Sequence, residues 1–142
     1  MANNYLQFSF AIALRSKKEE EWVRSTLEQA ENEDEPICSF ELDSGSNGIS
    51  LILFSEESAD PERVAFFLQK YLRHFKLKQA IGFEWATWCS VMRLDEFGGG
   101  ACVVTATKTY WMNTSTWREE KIAQLTKKTG KARKSKKRPG GS

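Results

Sequence analysis

The chain has 142 residues, of which 40% are hydrophobic and 28% charged, and a net charge of +2. This length fits one domain with its own core, and the composition excludes a chain that is disordered throughout. No apolar run approaches the roughly 20 residues of a membrane helix, so we expect no membrane contact. The three cysteines lack the paired spacing of a disulfide framework or zinc site. We therefore expect reduced thiols, no metal or other cofactor, and a cytoplasmic protein.

The charge is divided unevenly along the chain. Residues 127–138, KKTGKARKSKKR, carry eight positive charges and no negative one. Residues 1–126 have 13 Lys and Arg against 19 Asp and Glu, a net of −6. Because the run offers no large apolar side chain to a core, we expect residues 127–142 to form a disordered basic tail behind a single domain at 1–126. This asymmetry suggests an anionic partner for the tail.

The first predicted elements are a strand and a helix. Residues 6–14 alternate large apolar side chains with small or polar ones, which predicts a half-buried strand. Residues 17–30 are rich in helix formers and carry one apolar stripe. Ser16 precedes them as an N-cap, and Glu19 is spaced to complete a capping box.

A hairpin and a second helix follow. Residues 37–42 and 49–54 read as strands, and the intervening Asn47-Gly48 can supply the positive φ angles of a hairpin turn. The sequence Asp60-Pro61-Glu62 combines an N-cap, a proline in the first helical turn and an acid at the positive end of the helix dipole. Apolar residues from Val64 to Phe75 then recur at helical spacing.

The C-terminal half predicts shorter elements. Thr116 and Glu119 form a capping box for a last short helix through about Leu125. Three further strands are predicted at 79–86, 100–107 and 110–112. The order predicts a ferredoxin-like split β-α-β-β-α-β antiparallel sheet, with an added C-terminal hairpin and short helix, and both main helices on one face.

The basic tail is the first candidate site. Its cations could neutralise RNA or DNA phosphates, with affinity supplied by counterion release and without sequence readout. A solvated tail with no partner is the alternative. The predicted nucleic-acid-binding residues are Lys127, Lys128, Lys131, Arg133, Lys134, Lys136, Lys137 and Arg138.

The segment 87–100 is the second candidate site. We predict it to be irregular, and its apolar residues favour packing onto something. It could bind a partner, or it could simply cover the core. Its three glycines imply either positive φ or close approach by another group. The predicted partner-binding residues are Trp88, Arg93, Asp95, Glu96 and Trp117.

Other functions have weaker support in the sequence. Cys89 and His74 form the one conceivable nucleophilic pair, and nothing requires them to meet. The strand at 49–54 lacks the aromatic pattern on which RNA-recognition modules stack bases. We therefore predict a small non-enzymatic accessory or binding module that contacts nucleic acid non-specifically through its basic tail. The alternative is a protein-interaction module that uses the 87–100 loop and nearby Trp residues. The oligomeric state stays open.

Overall fold

The structure is a computed structural model that describes residues 4–46, 48–90 and 97–137, with side chains described as far as Lys127. Within these ranges the chain forms an α+β fold with a six-strand antiparallel sheet and three helices. The strand order is β2-β3-β1-β4-β5-β6. The elements are β1 (Asn4–Leu14), α1 (Lys17–Asn32), β2 (Ser39–Gly45), β3 (Gly48–Ser55), α2 (Pro61–His74), β4 (Ile81–Cys89), β5 (Gly98–Val104), β6 (Thr109–Asn113) and α3 (Thr114–Lys137).

Strand β1 lies inside the sheet and shows the predicted alternation. Phe8, Ile12 and Leu14 are buried in the core, while Ser9 and Ala11 are exposed on the other face. The exposed side is called the open face below. Because side chains alternate along a strand, this pattern tells which face the helices cover.

Helix α1 begins as the sequence predicts. The Ser16 hydroxyl accepts a hydrogen bond from the Glu19 N–H at 3.3 Å. The Glu19 carboxylate accepts the Arg15 N–H at 3.2 Å, one residue earlier than a standard capping box requires. Glu19 is itself buried and accepts a hydrogen bond from the Tyr71 hydroxyl. Burial and the neighbouring Glu19 raise the pKa of Tyr71, and the contact joins the start of α1 to α2.

Helix α2 supplies the largest share of the core. Asp60 caps it through a 2.9 Å hydrogen bond from the Glu62 N–H. Its predicted apolar stripe is buried, with Phe75 half-buried beyond its end. Together with Val23 and Leu27 of α1, this stripe packs against the large side chains of β1, β3, β4 and β5. Both helices therefore share one core with one face of the sheet.

The β2–β3 hairpin confirms the predicted turn in its described part. Gly48 has a φ of +109° and pairs with Gly45 across the strands. Asn47 lies outside the described residues. Strand β2 begins at Ser39, two positions after the predicted start at Ile37.

The segment 87–99, predicted to be irregular, is strand at both of its ends, and residues 91–96 lie outside the described residues. Strand β4 continues through Cys89, and β5 already begins at Gly98. The glycine run allows close approach, since neither Gly99 nor Gly100 has a positive φ. A Cβ on Gly99 would collide with the Trp85 carbonyl oxygen, and one on Gly100 with the Trp85 ring. The prediction starts strand β5 two residues late, at Gly100, because glycine normally weakens a strand.

The β5–β6 hairpin is present as predicted, but the last helix differs from the prediction. Helix α3 starts at Thr114 and reaches Lys137, so the predicted end at Leu125 and cap at Thr116 are wrong. Residues 127–137, expected to be disordered, form its C-terminal part. Lys, Arg and Ala are strong helix formers, and this intrinsic propensity favours helix even where no core is offered.

Candidate functional site

The root of α3 is fixed directly to the sheet. The Asn113 side chain, at the end of β6, accepts a hydrogen bond from the Thr116 N–H at 3.0 Å and so caps the helix. The Thr114 hydroxyl donates to the Gly99 carbonyl at 3.1 Å. No linker separates β6 from α3, so the sheet sets the direction in which the helix leaves.

Beyond its root, α3 is exposed on every side. All side chains from Thr116 to Lys127 are exposed, including those of Trp117, Ile122 and Leu125. A helix that packed on the body would bury one stripe of side chains. Helix α3 therefore projects from the sheet as an arm.

Positive charge is concentrated toward the C-terminal end of the chain, which includes the arm. Residues 105–142 hold eleven Lys and Arg against two Glu, a net of +9, and are called the basic segment below. Residues 1–104 hold ten Lys and Arg against seventeen Asp and Glu, a net of −7, and are called the acidic body. The acidic body and the basic segment meet between residues 104 and 105, shortly before β6 begins. The excess of positive charge therefore starts earlier in the chain than the cationic run at 127–138.

Seven of the eight predicted nucleic-acid-binding residues lie on the C-terminal half of α3. Lys127 is exposed on α3. The next six cations, Lys128 to Lys137, follow on helical backbone, and their side chains lie outside the described part. Arg138 is outside the described residues altogether. At 1.5 Å per residue, the backbone from Lys127 to Lys137 is about 15 Å long, so this stretch can follow several phosphates.

The predicted partner-binding residues divide into three groups. Trp88 is half-buried, stacks on Tyr5 at 4.4 Å, and donates to the Gln7 side chain at 3.1 Å. Trp117 is 57% exposed near the root of α3. Arg93, Asp95 and Glu96 lie outside the described residues. Of the two predicted tryptophans, Trp117 is therefore the more exposed to a partner, and Trp88 the more engaged within the fold.

A small groove joins Trp88 to the root of the arm. It has a volume of about 330 Å³. Its lining includes Trp85, Trp88, Phe97, Gly98 and Ser115. The sequence analysis predicts that Trp88 belongs to a partner-binding surface. In the structure, Trp88 and Ser115 of α3 line the same groove.

Strand β6 was missed as a candidate. All five of its residues are exposed, and Tyr110, Trp111 and Met112 follow one another on the edge of the sheet. The Trp111 ring meets Trp85 edge-on at 5.9 Å and donates to the Thr109 hydroxyl at 3.1 Å. An apolar triplet in a strand resembles a core segment, so the sequence carries no signal that this one is exposed.

A second groove lies between α1 and α2. Its volume is about 510 Å³, and Phe66, 64% exposed, lines it beside Lys70. The Lys70 ammonium lies 5.7 Å from the centre of the Phe66 ring. Glu33, Asp60 and other groups of both signs also line the groove, so its charge favours no one class of partner.

The structure does not bring Cys89 and His74 together. The His74 ring stacks on Trp22 at 5.0 Å, at the end of α2 that leads into the start of β4. Cys89 is buried at the opposite end of β4, eight residues along a strand that rises about 3.3 Å per residue.

The other two thiols are poorly suited to chemistry. Burial raises the pKa of Cys38 to about 12 and that of Cys102 to about 11. A thiol must ionise to act as a nucleophile or metal ligand, and these two stay protonated near neutral pH. All three cysteines are free of disulfides.

The described residues show no metal or membrane feature. Among them, no three His, Cys, Asp or Glu side chains come close enough to hold a metal ion. In the same ranges, no helix combines the length and apolar character needed to cross a lipid bilayer.

Comparison of the chain with protein-family models, with curated proteins and with solved structures returns no match.

Proposed function

We propose that this protein is a small, non-enzymatic accessory module that binds nucleic acid without sequence readout through the cationic end of α3. The observation that carries the proposal is the exposed helical arm, which projects positive charge from an acidic body. Cations on such an arm can neutralise phosphates, and the release of condensed counterions then supplies the affinity. A cytoplasmic location, suggested by the free thiols, accompanies the proposal.

We also infer a ferredoxin-like split β-α-β-β-α-β arrangement for the part before β5. In its support, β1 lies between β3 and β4, and β3 lies between β1 and β2. Strands β5 and β6 and helix α3 then form an extension on the β4 side. This arrangement is found with many functions, so the function is argued from the arm alone.

The direct test neutralises the arm while keeping its helix. Glutamine is as good a helix former as lysine, so we would replace the eight cations from Lys127 to Arg138 with Gln in the full chain. We expect the parent protein to bind RNA or DNA with a Kd of roughly 1–100 μM at physiological salt. At low salt, the variant should bind more than about 100-fold more weakly, as measured by fluorescence anisotropy.

The matched control neutralises cations on the acidic body. Replacing Lys70, Arg73, Lys76 and Lys78 with Gln removes charge from α2 and the loop after it. This control should bind within about twofold of the parent, because nonspecific affinity follows the phosphates neutralised by the arm. Equal binding by parent and arm variant, or none by the parent at low salt, would overturn the proposal.

A protein-interaction module is the second candidate function. Exposed apolar side chains on β6 and at Trp117 favour it, since contiguous apolar surface commonly marks a contact site. Under this alternative the cations are incidental, and the Gln variant of the arm would retain the partner. If the Gln variant lost the protein partner together with the nucleic acid, that result would favour the first candidate function, nucleic-acid binding through the arm.

A further inference from the structure

Exposed apolar side chains are concentrated in the basic segment. Large exposed apolar residues in its described part are Tyr110, Trp111, Met112, Trp117, Ile122 and Leu125. Three of these are aromatic, with exposed fractions of 56% for Tyr110, 45% for Trp111 and 57% for Trp117. The aromatic surface and the positive charge therefore occur in the same 38-residue stretch of the chain.

Two of these rings are well placed to stack against a ligand. Tyr110 pairs with Val103 across the hairpin and lies on the open face, away from the core. Trp117 lies one turn into α3, and the Lys121 ammonium is 6.0 Å from the centre of its ring. Trp111 faces the other way, against Trp85. Tyr110 and Trp117 thus lie on either side of the junction at Asn113, and a cation of the segment lies beside the Trp117 ring.

We propose that the ligand is single-stranded nucleic acid, whose bases stack on Tyr110 and Trp117 while its phosphates meet the cations of α3. This inference rests on the proposed function and names its substrate class. Proteins that bind single strands without sequence preference combine a positive track with exposed aromatic rings. A duplex keeps its bases stacked inside, so it can engage the cations but offers no base face to these rings.

The charge distribution argues against a second copy as the occupant. Pairing two copies through β6 would bring together two segments of net charge +9 each, and like charges repel. A polyanion meets no such repulsion on this surface. Strand β6 itself has no charged residue, so its rings are not shielded by acidic neighbours on the same strand.

The experiment compares one single strand with one duplex on five proteins. The probes are a fluorescein-labelled oligothymidylate and a duplex with the same number of phosphates, titrated by anisotropy at fixed salt. The proteins are the full-length parent, Tyr110→Ala, Tyr110→Phe, Trp117→Ala and Phe66→Ala. Phe66 is the matched control, because it is an equally exposed aromatic residue on a helix of the acidic body.

We expect the parent to prefer the single strand. Tyr110→Ala and Trp117→Ala should each weaken single-strand binding by roughly 5- to 100-fold, the range for losing one base–aromatic stack. Their affinity for the duplex should stay within about twofold of the parent. Tyr110→Phe, which keeps a stacking ring, and Phe66→Ala should bind both probes like the parent.

The outcomes separate this inference from the proposed function. If the duplex binds as well as the single strand and neither alanine variant loses affinity, stacking is refuted while binding by the cationic arm stands. If neither probe binds the parent at low salt, both proposals fail. If Tyr110→Ala instead converts a dimer to a monomer in sedimentation, with affinity unchanged, a second copy covers this surface and the inference is overturned.

Discussion

Helices α2 and α3 make opposite use of their apolar residues. In α2 a continuous stripe from Val64 to Leu72 is buried against the sheet. In α3 the large apolar residues Trp117, Ile122 and Leu125 are all exposed. Most large apolar side chains of the acidic body are thus buried in the core, whereas those in the described part of the basic segment are exposed to solvent. If the proposed binding is right, stability and ligand contact depend on different parts of the chain, and substitutions should separate the two.

The largest effect is expected within α2 itself. Phe67 is buried, while its neighbour Phe66 is exposed. Phe67→Ala should lower the free energy of unfolding by about 3–5 kcal/mol, because it empties a site in the core. Phe66→Ala should change it by less than about 0.5 kcal/mol. Urea denaturation followed by circular dichroism measures both, and similar midpoints for the two variants would show that the face assignment is wrong.

The glycine run gives an intermediate effect at the border of the two regions. Gly99→Val should destabilise by roughly 1–3 kcal/mol, because the new Cβ would collide with the Trp85 carbonyl and the two strands must shift. Gly45→Val is the control, since a Cβ there would have nothing within 4 Å. Thermal unfolding compares them. If Gly99→Val unfolds at the same temperature as the parent, β4 and β5 are less closely paired at Gly99 than the structure shows.

The smallest effect is expected in the arm. Trp117→Ala should leave the free energy of unfolding within about 0.5 kcal/mol of the parent, because its ring supports no core. The control is Trp22→Ala in α1, whose ring packs on Phe67 at 5.9 Å and should be costly to remove. Equal losses in denaturant titrations would mean that α3 packs on the body in solution, which would remove the contrast between the two regions.

Local signals explain which parts of the fold could be predicted. The alternation along β1 and the Asp60-Pro61 start of α2 are set by neighbouring residues, and both are present in the structure. Strand pairing through Gly99 and Gly100 depends on the Trp85 ring and backbone across the sheet, which the sequence places far away. Helix α3 is longer than predicted because Lys and Arg favour helix even in a stretch that offers no apolar residue to a core.

The candidate site was predictable only in its charged part. A run of cations is visible in any sequence, so Lys127 and its neighbours could be identified directly. Exposure of Tyr110 and Trp111 is a tertiary property, because it depends on whether another element covers the last strand of the sheet, and none of the described elements does. In the sequence, that strand has the same apolar character as a buried one.

The length of the arm has an electrostatic consequence. A helix of 24 residues is about 36 Å long, and Lys127 lies about 20 Å along the axis from Thr114. At physiological ionic strength the screening length is only about 8 Å. The acidic body is therefore too distant to repel a polyanion held at the tip. Near 10 mM salt the screening length grows to about 30 Å, and the repulsion then reaches the tip. A shortened arm should consequently bind more weakly even with every cation retained.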